Sequence, residues 1–301
     1  MYFDVPRRIT GHRGSGANHV VQREIENTAA SCRLALVHGA DSVEIDVQVS
    51  GDDKLVVYHH ARTPDGLRVA EQPLNQLQAL GIETLAELTA ALPSHSNGMQ
   101  VGLNLELKTG YDRNELKLDH RVADALTELL PTLTARHTVL LSSFDPIVLG
   151  RYRVLRDTGT ATALPFSYVC AHPHRRDRTL PVTVSDGVIE ASKLGADSVH
   201  LNAGQLGLGP PETDPQFTEP GQNWAPQERI AAAVAAARDA GLALNVWCPE
   251  PEDAAILLRA GVDGVCVNWV PETVSRTAEL LAGAEPTADA IPVQAATPRT
   301  E

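Results

Sequence analysis

Glu44 and Asp46 stand two residues apart in Ser42–Val49, SVEIDVQV, where strand alternation puts Glu44, Asp46 and Gln48 on one face and Val43, Ile45, Val47 and Val49 on the other. Two carboxylates aimed the same way from an apolar strand are costly to bury unless a cation lies between them, and a hard metal ion meets that need. Glu106, within the alternating run 101–108, adds a third carboxylate, with Asn104 and Lys108 on its face. Three oxygen ligands suit Mg²⁺ or Ca²⁺ better than Zn²⁺, which favours His or Cys. His12-Arg13 follows the short strand 7–11, and His59-His60 follows the apolar run 55–58, so imidazoles arrive at strand ends close to the acidic set. Two histidines near neutral pKa can divide base and acid roles, while the Arg13 fork and the Lys108 point charge suit phosphate oxygens. This is the equipment of metal-assisted phosphoester hydrolysis.

The elements that must hold these residues alternate. Strand runs at 7–11, 42–49, 55–58, 101–108 and 138–143, one beginning at 161–164, and a late run at 242–247 are separated by helical patterns at 29–38, 74–80, 84–92, 120–130, 146–158, 185–194, 226–240 and 252–260. The phrase Gly39-Ala40-Asp41-Ser42-Val43 returns as Gly195-Ala196-Asp197-Ser198-Val199 and as Gly261-Val262-Asp263-Gly264-Val265, so one helix-turn-strand joint occurs three times. Repeated joints and polar residues gathered at strand C-termini predict a parallel (β/α)₈ TIM barrel with a small insertion at about 61–98, after the second strand, and a site on the C-terminal face. Trp247, also at a strand end, is either a plug of the barrel or a wall of the substrate site, and it is counted here with the substrate-binding residues.

Length and composition narrow the class. With 301 residues and no Pro- or Ser-rich linker before its end, the chain is expected to form one α/β domain over 1–281, followed by a disordered Pro/Ala/Thr tail, 282–301. A net charge of −13 argues against a nucleic-acid partner. No signal-like N-terminus and no run of about 20 apolar residues predict a cytoplasmic protein without stable membrane association. Cys32, Cys170, Cys248 and Cys266 lack CxxC spacing and are read as reduced thiols, with Cys248 as packing. The run from His172 to Arg178 is read as a solvated basic loop. Oligomeric state leaves no mark in the sequence.

Gly11-His12-Arg13-Gly14, Glu26-Asn27-Thr28, the stretch 39–46, Val57-Tyr58-His59, the run 103–108, Ser142-Ser143-Phe144-Asp145-Pro146 and Asn245-Val246-Trp247 together resemble the glycerophosphodiester phosphodiesterase family over about residues 9–275. The opening GHRGSGAN is most similar to the subfamily resembling eukaryotic glycerophosphocholine phosphodiesterases. The resemblance implies a (β/α)₈ barrel and a divalent metal on Glu44, Asp46 and Glu106. It also implies acid-base catalysis by His12 and His59, with Arg13 and Lys108 on the phosphate, and a small-molecule phosphodiester substrate. Two positions depart from the family: His60 stands where Asp is usual, and Trp247-Cys248-Pro249-Glu250 replaces Trp-Thr-Val-Asn near the substrate. The expected reaction yields sn-glycerol 3-phosphate and an alcohol. The alternatives are a same-fold enzyme acting on a lysophospholipid or specialised-metabolite diester, and a barrel that binds phosphoesters without turnover.

Overall fold

The structure, a computed structural model, describes residues 2–109, 121–170, 183–208 and 225–282. Eight parallel strands close on themselves: β1 (Arg8–Gly11), β2 (Ser42–Val49), β3 (Gly102–Leu107), β4 (Thr138–Ser143), β5 (Phe166–Val169), β6 (Ser198–Asn202), β7 (Ala243–Trp247) and β8 (Gly264–Val267). Each pairs with the next, and β1 closes the ring by pairing Ile9 with Val265 of β8 and Thr10 with Ser42 of β2. This is the expected (β/α)₈ barrel. A ninth strand, Leu55–Val57, turns back antiparallel on the end of β2 and carries the chain towards His59.

Both faces of β2 are buried, as a barrel strand requires. Val43, Ile45 and Val47 are fully covered by the outer helices, while Glu44, Asp46 and Gln48 face the lumen. The register carries that parity round the ring, Asp46 to Glu106, Ser142, Ser167 and Ser198, so His200 and Asn245 are also lumen residues. Where bulky aliphatic side chains usually fill such a barrel, this lumen is largely polar.

The repeated joint is a two-point clamp at the barrel floor. Asp41 donates its N–H to the carbonyl of Ile9 (2.9 Å) and accepts the N–H of the same residue on Oδ2 (2.8 Å). Asp197 does both to Phe166, at 2.9 and 3.0 Å, and Asp263 does both to Leu244, at 2.8 and 2.8 Å. The preceding glycine in each copy has positive φ, so it ends its helix and releases the chain into the strand.

Helix starts follow the sequence. Thr28 caps Ala29–Val37 by accepting from Ser31 N–H, Asp145 caps Pro146–Asp157 from Ile147 N–H, and Thr84 with Glu87 forms a capping box on Leu85–Ala90. Two expectations need correction. The helix predicted over 120–130 is two among the described residues, Arg121–Leu126 and Leu130–Thr134, because Pro131 lacks an N–H to continue the first and opens the second. The fifth strand begins at Phe166 rather than within 161–164, since the carbonyl of Thr162 and the N–H of Leu164 are both taken by the Tyr152 hydroxyl instead of a ladder. The insertion holds a hairpin, His95–Ser96 with Met99–Gln100, turned by Asn97-Gly98, both at positive φ. The basic loop 172–178 and the tail lie outside the described residues. No described helix is long and apolar enough to cross a membrane.

Candidate active site

The three carboxylates converge as their spacing predicts. Glu44 and Asp46 come from β2 and Glu106 from the neighbouring β3, paired opposite Asp46, and one oxygen from each lies within 4.8 Å of the others. Glu44 is 3 % exposed; its Oε2 accepts the backbone N–H of Arg13 at 2.9 Å, while Oε1 is buried with no hydrogen-bond partner among the described residues. Burial, followed by repulsion from Asp46 and Glu106, raises the Glu44 pKa well above the carboxylate range. Burial would raise Asp46 too, but Lys108, His59 and Arg13 outweigh it and hold that carboxyl well below its usual value.

The two cations sit among these acids. Lys108 Nζ is 2.6 Å from Glu106 Oε1 and 3.2 Å from Asp46 Oδ1; Arg13 Nε is 3.4 Å from Asp46 Oδ2 and its Nη1 is 3.0 Å from Glu26 Oε1. Desolvation works against the Lys108 charge, yet Glu106 and Asp46 raise its pKa above that of a free lysine. Asn27 completes the acidic cradle by donating to Asp46 Oδ2 (2.8 Å) and accepting the Asp46 N–H (3.0 Å).

His12 leaves β1 through a turn that only glycines permit. A Cβ on Gly11 would lie 2.1 Å from the Gly14 carbonyl, and Gly14, at φ +88°, packs directly on Ser31 and Cys32 of the first helix. The His12 ring projects so that Nε2 is 3.9 Å from Glu44 Oε2, while Nδ1 is 2.8 Å from Asn268 Oδ1. Burial and then Arg13 lower its pKa to about 4. His59 lies past the end of the antiparallel strand, where burial and then Lys108 drive its pKa lower still. Three non-glycine residues here, Arg13, Asn27 and Cys248, have φ between 51° and 58°, strain of the kind that concentrates at working sites.

Sequence reasoning brought together His12, His59, Arg13, Lys108, Glu44, Asp46 and Glu106, and all meet at the C-terminal mouth. Trp247 stands at the rim, its ring edge-to-face with Phe144 at 5.7 Å, and Lys108 Nζ lies 5.8 Å from the Phe144 ring centre. Continued alternation beyond 55–58 would turn His60 to the opposite face from His59, but strand alternation ends at Val57, and the two rings meet edge-to-face at 4.8 Å. Cys248 is more than packing, because its Sγ lies 3.6 Å from His12 Nδ1 and 3.7 Å from Asn268 Nδ2. Asn27, Gln48 and Asn268 went unassigned. Only the parity of Gln48 with Glu44 and Asp46 marked it, and nothing in the sequence tied Asn268 to a residue 256 positions earlier.

Residues 12–271 match the Glycerophosphoryl diester phosphodiesterase family. Among solved structures, a glycerophosphodiester phosphodiesterase from Thermotoga maritima is 20 % identical, with TM-score 0.60 over 89 % of this chain and 97 % of that one. One from Parabacteroides distasonis is 17 % identical, with TM-score 0.61 over 91 % and 98 %. An Oleispira antarctica phosphodiesterase in complex with the product sn-glycerol-3-phosphate is 21 % identical, with TM-score 0.61 over 91 % and 98 %. No curated protein matches.

Proposed function

The chain belongs to the glycerophosphoryl diester phosphodiesterase family, and on that premise we propose that it splits a glycerophosphodiester, glycerophosphocholine-like, into sn-glycerol 3-phosphate and an alcohol by metal-dependent His/His catalysis. One observation carries the reading: three carboxylates with oxygens inside 4.8 Å of one another share the barrel mouth with two imidazoles and two cations. The product bound by the Oleispira antarctica enzyme supports the same substrate class.

Glu44, Asp46 and Glu106 fit a divalent ion, Mg²⁺ or Ca²⁺. The set is all oxygen, and the buried Oε1 of Glu44 is an acceptor for which the described residues supply no donor. Such an ion, when bound, supplies positive charge that polarises a phosphoryl oxygen and the glycerol 2-hydroxyl. The remaining steps belong to the side chains. His12 is neutral at pH 7, and Asn268 Oδ1 accepts its Nδ1–H, which leaves the Nε2 lone pair towards the carboxylates. That lone pair takes the proton of the 2-hydroxyl, whose oxygen attacks phosphorus. Arg13 and Lys108 hold the phosphate oxygens, the negative charge of the arriving diester favours the protonated form of His59, and that proton passes to the leaving alcohol. Water then opens the cyclic phosphate with the two histidines in reversed roles. Trp247 and Phe144 wall the alcohol side.

The test is a panel of glycerophosphocholine, glycerophosphoethanolamine, glycerophosphoinositol, bis(glycero)phosphate and lysophospholipids, assayed for released glycerol 3-phosphate. Turnover of at least one glycerophosphodiester is expected. Turnover of lysophospholipids alone moves the assignment to that class, and calorimetric binding without product over hours identifies a non-catalytic barrel.

A further inference from the structure

The two imidazoles are held in different ways. His12 is gripped at the ring by Asn268, whereas Nδ1 of His59 is buried with no hydrogen-bond partner among the described residues, so the His59 ring takes its place from its backbone and from packing on His60. That backbone leaves the ladder at once. The antiparallel pairing ends at Val47 with Val57, Tyr58 N–H reaches back to the Asp46 carbonyl at 3.0 Å, and residues 59–61 run through bends rather than strand. One side chain spans the gap. Gln48, 2 % exposed, donates from Nε2 to the Tyr58 carbonyl at 2.5 Å and to the His60 carbonyl at 2.8 Å.

We propose that Gln48 is a positioning residue for His59: its carboxamide straddles the catalytic imidazole, fixing the carbonyl on either side and thereby the direction in which Cα of His59 projects the ring. The proposal rests on His59 being the proton donor suggested above. Its physical content is registry. Gln48 follows Asp46 by two residues on one strand face, so a single rigid strand sets both the acid that takes the metal and the clamp that aims the imidazole, with no flexible segment between them. A primary amide is the side chain suited to this, since one nitrogen carries two donors that can serve two carbonyls. Glu at this position keeps the shape and, ionised, has no donor to offer; Met keeps the volume and has none either.

The experiment compares Gln48→Met and Gln48→Glu with the wild type by steady-state release of glycerol 3-phosphate, by calorimetric binding of the divalent metal, and by thermal unfolding. We expect both variants to lose about tenfold or more in kcat with little change in KM, and Gln48→Met to keep metal affinity and a cooperative transition. The deciding measurement is the double variant Gln48→Met/His59→Ala. If Gln48 acts through His59, its cost vanishes once the imidazole is gone. An unchanged kcat in both single variants, or a Gln48→Met penalty as large in the His59→Ala background as in the wild type, overturns the proposal. A His59→Ala enzyme with native kcat instead overturns the role of His59, which separates the two failures.

Discussion

Nδ1 of His12 lies 2.8 Å from Oδ1 of Asn268, and that oxygen also accepts the Ala17 N–H at 3.0 Å. The second bond fixes the amide so that its oxygen, not its nitrogen, faces the ring; the imidazole must then carry its proton on Nδ1 and keep Nε2 basic. Asn268→Ala should therefore lower kcat by about 10- to 100-fold while leaving metal affinity intact. Steady-state kinetics with a parallel metal titration checks this, and a variant whose loss lies in metal affinity would place Asn268 in the wrong role.

Chelation should abolish activity, and Mg²⁺ or Ca²⁺ should restore it. Glu44→Ala, Asp46→Ala and Glu106→Ala should each weaken metal binding, because each removes one oxygen from a three-carboxylate set. Isothermal titration of the four proteins checks the ligands. Full turnover by metal-free enzyme, or unchanged affinity in all three variants, contradicts the assignment.

His12→Ala and His59→Ala should each cost about 10² to 10⁴ in kcat, with fold and metal affinity kept. If the pair serves one proton-transfer cycle, as proposed, their double variant should be little worse than the poorer single one. His60→Ala should be milder, for among the described residues its ring packs edge-to-face on His59 and Tyr58. Near-native kcat in either catalytic single variant, or His60→Ala as the most damaging of the three, is the contrary result.

His200 should make the fold acid-sensitive. It faces the lumen at 5 % exposure, and burial holds its pKa down to about 3, against 6.5 when unfolded. The unfolded chain thus binds the proton first, so stability falls as pH drops below 6.5 and continues to fall until about 3. At pH 5 the loss from this one group is about 2 kcal/mol. Urea unfolding at pH 7 and pH 5 should show a smaller acid penalty for His200→Gln than for the wild type, by about that amount. Equal penalties would mean that His200 is not held neutral by the fold.

The convergence of the candidate residues was legible because barrel physics is written into local sequence. Alternation on Ser42–Val49 fixed which residues share a lumen face, and the strand ends before His12 and His59 fixed which side chains reach the mouth. What escaped were contacts of long separation, such as His12 with Asn268 and with Cys248, which depend on how the ring closes. Alternation also misplaced His60, since it lapses where the ladder stops at Val57. The hairpin at Asn97-Gly98 was missed for the opposite reason: its turn signal was present, but its strands are two residues each, too short to show a period.

The three aspartate clamps amount to a depth gauge. Asp41, Asp197 and Asp263 grip the barrel floor by the same pair of bonds, and three residues beyond each stand Glu44, His200 and Cys266. Equal rise along equal strands brings those three side chains to one level of the lumen. Only the first of them is an acid, so the chain repeats its scaffold without repeating its chemistry. A designer who wished to move or duplicate the acidic set could count from a clamp and know in advance how far above the floor a new carboxylate would stand.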